Sequence, residues 1–137
     1  MRSNEGGYAS ILVLGMTLVA IGVAGLAVDG TRAFLFRRTL QNAADAAALA
    51  GASEIDRTAL YSSGGSDVVI DADAARERAA EWLARRSIAT RAAVLADDAG
   101  VRVRLEGEVE TTFLRIVGIE SLPVGAESLA EPVAGSA

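Results

Sequence analysis

The chain has no cysteine, no histidine and no lysine, and only two prolines. Without cysteine there is no disulfide framework, thiolate nucleophile or zinc knuckle; without histidine the usual metal ligand and the neutral-pH proton shuttle are missing too. Any catalysis would have to rest on carboxylates, hydroxyls and arginine. Aromatics are scarce, 4% of residues against 51% hydrophobic, so alanine, valine and leucine supply most of the apolar surface. Beyond the amino-terminal apolar run the large rings are Phe34, Phe36, Tyr61, Trp82 and Phe113. One small domain with a modest core is therefore expected. All 13 basic residues are arginine, which with abundant alanine and glycine points to codon bias in a high-G+C bacterial genome. A net charge of -5, with no arginine cluster outweighing the nearby acids, argues against nucleic-acid binding.

What the chain does have is an uninterrupted uncharged run from Gly6 to Val28. As a helix it would rise about 34 Å, enough to cross a hydrocarbon core of about 30 Å. A cleaved signal peptide is the alternative, with Gly25 and Ala27 as small residues near a cut. The basic flank is thin, however, with Arg2 offset by Glu5, and the run exceeds the usual ~7–15 apolar residues. The reading is a tail at 1–7, a membrane helix at 8–28, a helical extension at 29–56, a loop at 57–70 and a small α+β head at 71–137.

The extension carries Gln41 to Ala52, QNAADAAALAGA, whose alanines lose no side-chain entropy in a helix. Leu40, Ala44, Ala47 and Gly51 share one face at three- and four-residue spacing, while Gln41, Asn42 and Asp45 lie off it. Such a face admits a close neighbour, either another subunit or the chain's own domain; the first is the favoured expectation. Gly22 and Gly25 offer the same kind of approach inside the apolar run. Asp29 ends that run on their face. It is expected either to pair with Arg32 at i+3 or to meet a neighbouring subunit at the membrane surface.

Ser62, Ser63, Gly64, Gly65 and Ser66 read as a flexible loop. Asp71 stands where an N-cap would, ahead of an apolar stripe of Ala72, Ala75, Ala79, Trp82 and Leu83, with Glu81 and Arg85 at i,i+4 on the wet side. Val101 to Thr112 alternates apolar and charged residues, the period of a half-buried strand. Thr90 to Ala96 is read as its hairpin partner across Asp97–Gly100, a helical extension through the alanines being the alternative, and a last strand runs from Val124 to Ala130. Phe113 to Ile119 reads as a helical turn ended by Gly118. Covering the end of the sheet is the favoured role for this turn; the alternative is a docking patch of Phe113, Leu114, Ile116 and Val117.

Glu106, Glu108 and Glu110 fall about 7 Å apart on one strand face, a spacing that suits paired carboxylates or calcium, but interleaved arginines and the lack of a ligand loop favour a solvated face. Asp71 and Asp73 begin like a calcium loop without its later glycine and glutamate. No phosphate loop, dinucleotide fingerprint or nucleophile elbow is present. No catalytic residue, metal, cofactor or small-molecule substrate is expected.

The order of features, a membrane helix ending in AVDGTR, then RRTLQNAADAAALAGA, a loop, a small helix and TTFLRIVGIESLPVGAESLAEP, resembles the TadE/TadG-like proteins of the tight adherence (Flp) pilus and related secretion systems. That resemblance implies a noncatalytic, single-pass subunit of the cytoplasmic membrane, minor-pilin or pseudopilin-like, with an exported head and with other pilus subunits and lipid as partners of its helix. Pilins cut by prepilin peptidase carry a glutamate shortly after the cut, where Ile11 or Leu12 stands here. Nor do 137 residues leave room for the von Willebrand factor A domain of longer TadG-type proteins. Arg32, Arg37 and Arg38 after the anchor, against Arg2 before it, would instead keep the head in the cytoplasm by the positive-inside rule, as in a membrane adaptor or regulator. A membrane-bound hydrolase using Glu108 and Glu110 is a third, more distant reading.

Overall fold

A helix made of apolar residues on every side needs an apolar surrounding, and one with a single small-residue face needs a domain to lean on; α1, Glu5–Ala52, is both in succession. The computed structural model describes residues 5–65, 68–88 and 90–132, with side chains from residue 7 onward. Most of the expected tail, and Ser66 and Asp67 of the expected loop, lie outside the described residues. The chain is α+β, in the order α1, α2 (Arg57–Ser62), α3 (Ala72–Ala84), β1 (Arg91–Ala96), β2 (Val101–Glu110), a 3-10 turn at Leu114–Val117 and β3 (Ser121–Ala130). It divides into two compact units, Met1–Leu35 with Val109–Leu122, and Phe36–Glu108 with Pro123–Ala137.

In the second unit the core is built on the alanine-rich part of α1. Leu40, Ala44, Ala47 and Ala48 are fully buried together with Ala75 and Ala79 of α3 and Val101, Val103 and Leu105 of β2. Gly51 lets the elements close up: a Cβ there would lie 2.8 Å from the carbonyl oxygen of Ala75 and 3.1 Å from Val101 Cγ1. The face of Leu40, Ala44, Ala47 and Gly51 is thus filled from within the chain rather than by another subunit. Alternation alone could not choose between the two, because packing of small residues names no partner.

Helix α1 stops at Ala52, where Glu54 N–H returns to Gly51 O (3.0 Å) and Ser53 Oγ donates to Ala50 O (2.6 Å). The stretch read as a loop contains α2, capped by the Asp56 carboxylate, which accepts from Thr58 and Ala59 N–H. Its ends are pinned by a bridge between Ile55 and Ile70, with Asp56 N–H donating to Val69 O (2.9 Å) and Asp71 N–H to Glu54 O (3.0 Å). Asp71 caps α3 through Ala74 N–H, as expected for that position. The helix ends at Ala84, and Ser87 just beyond it has left-handed φ (47°). On its wet side Arg85 lies 2.6 Å from Glu81. The hydrogen bond and charge of Arg85 hold the Glu81 carboxyl below its ordinary pKa, an exposed pair worth little to stability.

The sheet has the order β1-β2-β3 and is antiparallel. The first pair runs in register from Arg91↔Glu106 to Ala96↔Val101. Its tight turn is held by the Asp97 carboxylate, which accepts from Ala99 and Gly100 N–H (2.9 Å each). β3 starts before Pro123, earlier than read, because it is an edge strand and a proline there need not break a ladder bond. The outer face of β2 is solvated and laced with ion pairs: Arg102 to Glu127 at 2.9 Å and Arg104 to Glu106 at 3.4 Å.

Leu40→Ala should lower the unfolding free energy by about 2–5 kcal/mol, the usual cost of a core cavity, whereas Leu49→Ala, on the exposed side of the same helix, should leave it nearly unchanged. Denaturant unfolding of both variants checks this, and equal effects would contradict the placement of the core.

Candidate functional site

Residues Gly25, Asp29 and Arg32 fall at i, i+4 and i+7, so they line one face of α1. All three engage the segment that follows β2, and all lie within the first unit. Asp29 is 1% exposed although it is charged. Burying a carboxylate is costly unless its oxygens are matched by donors, and three backbone groups do so. Thr112 N–H donates to Oδ1 at 2.9 Å, Phe113 N–H to Oδ2 at 2.9 Å and Leu114 N–H to Oδ2 at 2.8 Å. These are amides at the start of the 3-10 turn Leu114–Val117, which has no side-chain cap of its own. Asp29 supplies from more than 80 residues away what a capping residue supplies locally.

The rest of the contact follows from that clamp. Arg32 Nη1 donates to Thr112 Oγ1 at 2.8 Å, so Arg32 binds the clamped segment beside the carboxylate. Phe113 lies on Gly25 so closely that a Cβ at residue 25 would fall 2.5 Å from Phe113 Cβ. Thr111, 3% exposed, closes the neck of the excursion: its N–H donates to Glu120 O (2.9 Å) and its hydroxyl to the carbonyls of Ile119 and Glu120. The turn ends at Gly118, whose φ of 88° suits a residue without Cβ, with Gly118 N–H on Arg115 O and Ile119 N–H on Leu114 O (3.0 Å each). Ile116 and Val117 stay exposed, 80% and 72%.

For Asp29 the structure supplies partners within the chain. Its partners are the backbone amides of residues 112–114, and Arg32 acts beside it on Thr112. The i, i+4, i+7 spacing of a glycine, an acid and an arginine at the end of the apolar run was the readable signal; the partner segment, far away in sequence, was not. Gly22 is open, with nothing within 4 Å of an added Cβ, while Gly25 is taken by Phe113.

An open groove of about 640 Å³ includes Thr90, Arg91, Glu106 and Glu108 in its lining. Among the described residues no group of three or more histidine, cysteine, aspartate or glutamate side chains is placed to hold a metal.

Asp29→Asn replaces one acceptor oxygen with a donor that faces a backbone N–H. Hydrogen exchange at Thr112, Phe113 and Leu114 should accelerate at least tenfold, since a charge-assisted bond is worth about 1.5–3 kcal/mol. The exposed Asp45→Asn should leave those amides alone, and unchanged exchange in Asp29→Asn would refute the clamp.

No curated protein and no solved structure matches the chain. Residues 7–54 match the family model Tad, described as "Putative Flp pilus-assembly TadE/G-like". The matched span takes in nearly all of α1, including the apolar run, Gly25, Asp29 and Arg32, and the buried alanine face. Over this segment the chain is similar to the TadE/G-like Flp pilus-assembly proteins, the family its sequence resembles.

Proposed function

We propose that this protein is a membrane-anchored, noncatalytic subunit for assembly of a tight adherence (Flp-type) pilus or a related secretion apparatus. It acts by helix packing and protein contacts, with its head outside the cytoplasmic membrane. The observation that carries this reading is that the family match falls on a helix whose first part is apolar and uncovered. Between Tyr8 and Val28 twelve large hydrophobic side chains are exposed, from 46% to 75%. Fully burying each yields about 1.5–3 kcal/mol, so the drive out of water is on the order of 20 kcal/mol, more than the ~5–15 that holds a typical domain folded. A helix apolar all round is a membrane span or a buried element, and this one is long and apolar enough to cross a membrane while 6% of its most apolar window is buried.

Partners in the apolar layer would meet the surface that the chain leaves open. Gly15 and Gly22, seven residues apart and both with nothing within 4 Å, stand on one side of the helix, where a second helix can come close. The face of residues 40–51 is already occupied and is no part of this proposal. The arginines after the anchor favour the opposite orientation, a membrane adaptor with a cytoplasmic head. One experiment decides between the two.

The chain lacks cysteine, so Glu77→Cys on the exposed side of α3 gives a single thiol. Modification by a membrane-impermeant maleimide in intact cells is expected; modification only after lysis would place the head in the cytoplasm and favour the adaptor. Gly22→Leu should reduce crosslinking of the helix to other pilus components while leaving the amounts of protein in the membrane unchanged. Undiminished crosslinking would exclude this glycine as a contact.

A further inference from the structure

The turn after β2 has an odd combination of properties. It is tightly held, by Asp29, by Thr111 at its neck and by its own backbone bonds, yet its apolar side chains face outward. Ile116 and Val117 are the most exposed, and Ile119 (43%) and Phe113 (39%) are half open. Four bulky apolar residues displayed on a fixed turn make a patch that water does not favour.

Its level along α1 is set by two contacts. Phe113 rests on Gly25, inside the apolar run, and Leu114 N–H binds Asp29, the first charged residue after it. Ile116 and Val117 follow two and three residues on in a 3-10 turn rising about 2 Å per residue, so they lie within about 6 Å of the level of Asp29. One headgroup layer is about 5–7 Å thick. Whichever way the turn points along α1, Ile116 and Val117 stay within about one headgroup-layer thickness of the level of Asp29.

We infer that the turn Phe113–Ile119 is a second membrane contact, with Ile116 and Val117 inserted into the bilayer surface beside the helix. This rests on the reading that residues 8–28 span a membrane. Lipid is the occupant because the patch is continuous, through Phe113 on Gly25, with the apolar run that lipid would surround. Anchored at two points, α1 has a fixed rotation and depth in the bilayer, set by the Asp29 clamp.

The test uses the full chain in phosphatidylcholine vesicles, with one cysteine carrying an environment-sensitive fluorophore at Ile116, at Val117, at Leu14 in the middle of the apolar run, or at Glu77 in the head. The labels at 116 and 117 should lose emission to lipids brominated near the headgroup and resist aqueous iodide. The label at Leu14 should respond to bromines near the chain ends, and that at Glu77 to iodide alone. Iodide quenching at both 116 and 117, with Leu14 still quenched by lipid, would overturn the inference and leave the span intact. Protection of both from lipid and iodide alike would also overturn it, pointing to a protein partner. Loss of lipid quenching at Leu14 would remove the membrane reading itself.

Discussion

A buried carboxylate at the end of an apolar run is the constraint on which the amino-terminal unit depends. Asp29 can stay charged and out of water only if donors meet both of its oxygens, and the three amides of residues 112–114 do that. Satisfying the charge fixes where the polypeptide after β2 must begin its turn. The same approach seats Phe113 against Gly25, which is tolerable only because that residue has no side chain. One acid, one glycine and one arginine on a single helix face thereby order a distant connection between two strands.

The second half of α1 obeys a different rule. There the cost to be met is the ordering of a small domain with few large side chains, and the chain meets it by close approach instead of bulk. Ala44, Ala47, Ala48 and Gly51 allow α3 and β2 to pack directly on the helix, so that Val101, Val103, Leu105 and Leu40 can fill the remaining space. A single helix therefore carries two chemistries, a first part that presents apolar side chains outward and a later part that buries small ones.

Much of this was legible in the sequence because it depends on local periodicity. The uncharged run, the N-cap at Asp71, the alternating strand beginning at Val101 and the glycine stop at Gly118 each follow from neighbours within a few residues, and each stands where the pattern placed it. What periodicity could not supply was the partner. The small-residue face at 40–51 looked equally suited to another subunit and to the chain's own sheet, and Asp29 has an arginine three residues away but binds amides more than 80 residues on. The helix α2 and the early start of β3 escaped for local reasons, a short capped turn in polar sequence and a proline that an edge strand accommodates.

The claim that joins these parts is that α1 meets an apolar phase on all sides up to Asp29 and water or its own domain beyond it. Nitroxide scanning of residues 8–45 in bilayers, comparing collisions with oxygen and with a water-soluble nickel chelate, addresses this directly. The account predicts oxygen accessibility around the whole helix circumference from Tyr8 to Val28, except at Gly25 beneath Phe113, with a crossover to the polar reagent at the exposed positions beyond the buried Asp29. A 3.6-residue alternation between apolar and aqueous exposure through residues 8–28 would contradict it, because that is the signature of a helix with only one face out of water.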